Sequence, residues 1–249
     1  MSGENAAVTF CLPPQPVVSL AIEGRTERFP VGRVYCVGRN YADHAREMGR
    51  DPEREPPFFF MKPASAVVPV DDGEGAIEMP GQTGNYQHEV ELVVAIGRHG
   101  AVLSPEQALG IIFGYAVGLD MTRRDLQLQA REQGRPWEFG KSFSPSAPIG
   151  TLRPASGRSS PPQGELALRV NGELRQRTEL ARMIWNVAEC ISHLSQYDAL
   201  QPGDLIMTGT PAGVGRVGPG DVMEASAEGL RAIKVRVLPP SGVAAAEQP

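Results

Sequence analysis

Apolar residues in this chain fall mostly into short runs bounded by Gly, Pro, Asn and Asp, a pattern of strands and turns. Strands are predicted at residues 34–38, 58–61, 66–70, 90–96, 112–119, 166–170, 205–208 and 232–238, and helices at 40–49, 105–109, 122–133 and 178–194. A small lead-in hairpin is expected from the apolar run at 16–22, and a second hairpin turns at Asn171-Gly172, since Asn-Gly fits the positive φ angles of a type I′ turn. Pro-rich and charged residues 50–57 and Ser/Pro/Gly-rich residues 155–164 read as loops, and 241–249 as a fraying tail. The expected organisation is a lead-in at 1–33, one α+β, β-rich domain at 34–238 and a tail at 239–249.

Charge interrupts this pattern at one informative place. His88-Glu89-Val90-Glu91 runs directly into the apolar residues 92–96, so two carboxylates sit in a strand that otherwise reads as buried. Alternate strand side chains share a face, which sends Glu89 and Glu91 one way and His88 the other. Burying two like charges costs several kcal/mol or forces one to take up a proton, and a divalent cation removes both problems. Asp120, ending the apolar run 112–119, offers a third ligand. Three carboxylates without paired Cys or HExxH favour Mg²⁺ or Mn²⁺ over Zn²⁺. The competing reading places both glutamates on a solvated edge and makes Asp120 a helix cap.

Composition narrows the partners. The chain has 249 residues, 41% hydrophobic, with a formal net charge of −5 and no basic run, which argues against a nucleic-acid or acidic-membrane partner and for a small molecule. Cys11, Cys36 and Cys190 form no disulfide framework or CxxC pair. With no signal-peptide pattern in residues 1–9 and no long apolar run, a cytoplasmic protein is expected. Gly213, Gly215 and Gly218 match GxGxxG, but Pro219-Gly220-Asp221 turns where a dinucleotide fingerprint needs a helix, so no nucleotide cofactor is expected.

Three further features carry candidate chemistry. His44 and Glu47 lie three apart in a short helix and can touch, as a tuned general base or as a surface ion pair. Lys141, among Phe139, Gly140 and Phe143, is an anion clamp or a snorkelling lysine. Residues 208–211, Thr-Gly-Thr-Pro, present amides and hydroxyls at a strand end, as an oxyanion cradle or a plain turn.

Taken together, the segments Val37-Gly38-Arg39-Asn40-Tyr41-Ala42-Asp43-His44, Lys62-Pro63, His88-Glu89-Val90-Glu91-Leu92, Gly118-Leu119-Asp120-Met121-Thr122, Gly140-Lys141-Ser142-Phe143, Val170-Asn171-Gly172-Glu173 and Thr208-Gly209-Thr210-Pro211 closely resemble the fumarylacetoacetate hydrolase family, in the family's order. The resemblance implies a mixed β-sheet roll with short peripheral helices, a homodimer, and one divalent ion per chain, Mg²⁺ or Mn²⁺, on Glu89, Glu91 and Asp120. It also implies a water-activating His44–Glu47 pair on a mobile lid helix, a catalytic role for Lys141, and substrate contacts from Lys62, Arg124, Gln127 and Thr210. The implied reaction is hydrolysis of a carbon-carbon bond in a 2,4-dioxo acid, foremost fumarylpyruvate to fumarate and pyruvate, as in gentisate-type aromatic catabolism. Acylpyruvate hydrolysis or oxaloacetate decarboxylation on the same site, and a non-catalytic metal-binding relative, are the alternatives. Arg39, Arg46 and Arg123 are the candidates for a distal substrate carboxylate.

Overall fold

The computed structural model describes residues 9–47, 55–155 and 161–240. Parts of the expected loops at 50–57 and 155–164, residues 48–49 of the first expected helix, and the tail at 241–249 lie outside them. Strands dominate, as expected. A mixed sheet runs in the order Phe58–Lys62, Val34–Gly38, Leu205–Met207, Val90–Ile96, Ile112–Leu119, Ala147–Gly150, Val67–Val70. A five-stranded sheet packs beside it in the order Glu173–Glu179, Glu165–Val170, Val222–Ala227, Ile233–Leu238, Glu74–Glu78. Short strands Thr122–Arg123, Tyr86–His88 and Gly215–Arg216 form a third, three-stranded sheet. The lead-in is a hairpin of Ser19–Ala21 with Arg28–Pro30.

The Val90–Ile96 strand is buried on both faces, and its two-residue period sorts its side chains. Val90, Leu92, Val94 and Ile96 enter the larger apolar core between the sheets. Val93 and Ala95 enter a smaller core with Cys36, Val67, Ala116 and Met207. Glu89 and Glu91 continue this second face, so the site forms where the smaller core ends.

Two expected elements shift. The helix expected at 178–194 does not begin at 178: Glu173–Glu179 is a strand, Leu180–Arg182 a single 3₁₀ turn, and the helix is Val187–Ser195. Its start is set by a capping box in which the Asn186 side chain accepts from the Glu189 amide and the Glu189 carboxylate accepts from the Asn186 amide, each at 3.0 Å. The helix expected from 122 begins at Arg124, because Thr122 and Arg123 pair with Gln87 and Tyr86. The second hairpin turns as expected, with Asn171 and Gly172 at φ 52° and 82°. Past the turn, Leu168 pairs with Gln176 and Arg169 with Leu174, so Arg175 is the extra residue of a β-bulge.

Asn40 ties the site's frame together from a fully buried position. Its amide donates to the carbonyls of Trp185 and Thr208 and accepts from the Trp185 amide, all at 2.8 Å. Asn40→Ala orphans these groups, and urea denaturation is expected to show a loss of about 2–4 kcal/mol.

Candidate metal centre

Cross-strand register assembles the carboxylates. The Asp120 amide donates to the Glu89 carbonyl at 2.8 Å, and Val90 pairs with Leu119, so Glu89 and Asp120 are cross-strand neighbours. Glu91 lies one pleat further along the same face. The three are 4%, 2% and 0% exposed, and one oxygen of each lies within 4.8 Å of the others, which rules out a solvated edge.

Three cations are packed against them. Lys141 Nζ donates to Glu89 Oε2 at 2.7 Å, to Asp120 Oδ2 at 2.6 Å and to Thr122 Oγ1 at 2.7 Å. Arg124 donates to the other Glu89 oxygen and, through Nε, to Gln87 at 2.7 Å. Lys62 Nζ lies 2.9 Å from Asp120 Oδ1, donates to Ser146 Oγ at 2.8 Å and to the Met121 carbonyl at 3.2 Å, and also bonds the Lys141 carbonyl. Lys141 closes the short helix Glu138–Lys141, and it reaches inward because Gly140 lies against Gln127: a Cβ there would sit 2.8 Å from the Gln127 amide nitrogen.

Compensation is unequal. Burial pushes the Glu89 carboxyl up, but Lys141 and Arg124 outweigh it and hold Glu89 well below the usual range. Lys141, penalised by burial, is nevertheless held above the ordinary lysine value by Asp120 and Glu89 and remains an ammonium. Among the described residues Glu91 receives one donor, the Gly209 amide at 2.7 Å, and burial with the charges of Asp120 and Glu89 pushes it well up. Asp120 Oδ1 has Lys62 beside it but no aligned hydrogen-bond donor. Both oxygens are open to a cation, and three hard oxygen ligands at this spacing suit Mg²⁺ or Mn²⁺.

The carboxylates floor a cavity also lined by Arg39, His44, Phe58, Phe60, Arg124, Gln127, Leu128, Arg131, Trp137, Lys141 and Thr210. His44, on the helix Ala42–Glu47, is 5% exposed, and its Nδ1 lies 3.2 Å from Glu47 Oε2. Glu47 in turn accepts from the Gly213 amide at 3.2 Å. One loop therefore holds both halves of the site, through Gly209 to Glu91 and through Gly213 to Glu47.

Other expected residues are placed differently. Lys62 lies behind the carboxylates and outside the cavity wall, a position that argues for holding Asp120 and Lys141 in place rather than touching substrate. Arg46 is exposed and paired with Asp43, and Arg123 stacks on Phe143, its Cζ 4.3 Å from the ring centre, so Arg39 alone of the three arginines named from the sequence lines the cavity. His88 faces away and bonds Gln176. Of the GxGxxG glycines only Gly215 enters a short strand, paired with His88, and Gly218 leads into a turn at Pro219-Gly220 rather than a helix. Arg131 went unrecognised, although its spacing from Arg124 and Gln127 places it on the same helical face.

Replacing Glu91 by Gln removes a poorly compensated buried charge while keeping an acceptor for Gly209. The metal-free Tm is expected to rise by about 2–4 °C, the effect of roughly 1 kcal/mol in a chain of this size. The Mn²⁺-induced rise in Tm, expected for the natural chain because the ion binds the folded state, should vanish. Differential scanning calorimetry with and without Mn²⁺ checks both.

Residues 33–238 match the profile of the fumarylacetoacetate (FAA) hydrolase C-terminal family. A fumarylpyruvate hydrolase of a Ralstonia species is 45% identical over 77% of this chain and 99% of its own. The mitochondrial oxaloacetate tautomerase of Homo sapiens is 42% identical over 83% of this chain and 92% of its own. The crystal structure of fumarylpyruvate hydrolase from Pseudomonas aeruginosa, in complex with Mn²⁺ and pyruvate, superposes with a TM-score of 0.91 at 55% identity, covering 93% of this chain and all of that one. The motifs, the buried carboxylate triad and these likenesses agree: the chain belongs to the fumarylacetoacetate hydrolase family.

Proposed function

We propose that this protein is a metal-dependent hydrolase that cleaves fumarylpyruvate to fumarate and pyruvate. The observation that carries the substrate choice is the cavity's charge at two separate places. At its floor, three carboxylates meet three cations, so a divalent ion leaves net positive charge there, suited to one carboxylate of the substrate. Away from the floor stand Arg39 and Arg131, and Arg131 makes no ion pair among the described residues. Arg131 lies seven positions along the helix from Arg124, about 10 Å along the axis, a span suited to a substrate carrying a carboxylate at each end. Phe58, Phe60 and Trp137 wall the cavity and fit the flat, apolar middle of such a molecule.

Glu89, Glu91 and Asp120 would hold the ion. When bound, it supplies Lewis-acid polarisation of the dioxo acid. Glu47 accepts from Nδ1–H of His44, which leaves Nε2 as the base. Burial lowers the His44 pKa, the attraction of Glu89 and Glu47 opposing it, so the ring is neutral near pH 7 and able to take a proton from water. Water oxygen joins C4, the C3–C4 bond breaks, and its electron pair and a proton end on C3 of pyruvate. Lys141 keeps its proton throughout and offers a hydrogen-bonding positive charge rather than a base. A homodimer and a cytoplasmic location belong to the same proposal, and light scattering tests the first.

The relation to oxaloacetate tautomerases supports a second reading, turnover of oxaloacetate at the same floor without an activated water. Loss of enol absorbance for fumarylpyruvate, acetylpyruvate and oxaloacetate, with Mn²⁺ and with chelator, separates the two. Metal-dependent release of fumarate is expected, with His44→Ala lowering kcat ~10²- to 10⁴-fold. Consumption of oxaloacetate alone, unaffected by His44→Ala, would rule out the hydrolase. Arg131→Gln is expected to raise KM for fumarylpyruvate ~5- to 20-fold and leave acetylpyruvate unchanged, the charged contact being discounted for its exposure.

The pH profile follows from His44. Its activity requires the neutral ring, so with the pKa below 6.5 the acid limb of kcat/KM lies below pH 6.5. Glu47 raises that pKa, so Glu47→Gln should move the limb to lower pH while kcat falls.

A further inference from the structure

Gln176 is 1% exposed, and nothing in the proposed reaction uses it. It projects from the Glu173–Glu179 strand of the five-stranded sheet and uses all four of its hydrogen-bonding positions. Oε1 accepts from the Val90 amide and lies 3.0 Å from His88 Nδ1, while Nε2 donates to the Pro211 carbonyl and to Thr210 Oγ1, each at 2.8 Å. Backbone groups at both ends settle which atom is which: the Val90 amide only donates and the Pro211 carbonyl only accepts. The side-chain amide therefore has one orientation.

The orientation propagates. Thr210 Oγ1 accepts from Gln176 Nε2 and lies 2.9 Å from the Val90 carbonyl, which only accepts. The Thr210 proton is thereby committed to Val90, and the hydroxyl of this cavity-lining residue has a lone pair, not a proton, left to offer. A carboxylate or ketone oxygen meets repulsion there, whereas a donor is held. Thr210 also stands on the loop whose neighbouring amides hold Glu91 and Glu47, between the metal floor and the partner of His44.

We infer that Gln176 is a positioning residue that locks the Thr210 hydroxyl as an acceptor, and that Thr210 uses it to hold the attacking water. One water proton goes to His44 Nε2, the other stays covalently on the water oxygen and is hydrogen-bonded to Thr210 Oγ1, and an oxygen lone pair points at C4. The inference rests on the hydrolase reading above and adds to it the group that orients the nucleophile.

The test compares Thr210→Val, which keeps the branched shape without the hydroxyl, with Thr210→Ser, in the Mn²⁺-loaded full chain. Expected for Thr210→Val is a fall in fumarylpyruvate kcat of ~10- to 100-fold, the effect of one well-aligned hydrogen bond to a polarised water, with KM and the inhibition constant of pyruvate within ~2-fold of wild type. Thr210→Ser is expected to restore kcat. Gln176→Met frees the hydroxyl to rotate and should lower kcat as well, with no further fall in the double variant, since both changes remove one interaction. Weaker pyruvate inhibition or a raised KM in Thr210→Val with kcat intact would make the hydroxyl a substrate donor and overturn the inference. Additive losses in the double variant would overturn the part assigned to Gln176. The Thr210 pair decides the role of the hydroxyl even if Gln176→Met does not fold. A wild-type chain that cleaves neither fumarylpyruvate nor acetylpyruvate refutes the hydrolase reading, whereas active wild type with undiminished Thr210→Val refutes this inference alone.

Discussion

Mutual repulsion among Glu89, Glu91 and Asp120 is the constraint around which this molecule is arranged. Three carboxylates at the end of two paired strands, almost wholly buried, are stable only if positive charge is brought to them. Lys141 and Arg124 serve Glu89, Lys141 and Lys62 serve Asp120, and Glu91 receives only a backbone amide. The unequal distribution gives the centre its use. The best-compensated carboxylates form a rigid frame, while Glu91 is the carboxylate that has most to gain from a divalent ion.

Strand geometry supplies the precision. Pairing of Val90 with Leu119 fixes the separation of Glu89 and Asp120 to that of cross-strand neighbours, and the pleat brings Glu91 to the same face. Residues 209–213 then act as a shared backbone, touching the metal floor at one end and the His44–Glu47 pair at the other. A shift of that loop moves Glu91 and the His44–Glu47 pair together, so their mutual geometry is better protected than either position alone.

Much of this was legible in the amino-acid order where the cause is local. Alternation along residues 88–96 places both glutamates on one face, Asn171-Gly172 dictates a turn, and Pro219 denies the glycine pattern a helix. What depends on distant packing was not. Lys62 reads like any lysine beside a proline, and only the fold shows it behind Asp120. Residues 178–186 carry helix-tolerant side chains, but pairing with Glu165–Val170 and the Asn186 cap override them. Gln176 is a polar residue among exposed ones, at 175 and 177 arginines, with no local sign that it reaches another sheet.

The bulge at Arg175 gives that reach a tolerance. Strand side chains alternate, and it is an uncharged amide that enters from this edge strand, flanked by two guanidinium groups facing out. Arg175 itself is opposite no residue, so the ladder places Leu174 against Arg169 and Gln176 against Leu168 whether or not it is present. What holds the amide inward is its pairing with the buried Leu168, and the bulge is where this hairpin can change length by one residue without turning an arginine toward the site.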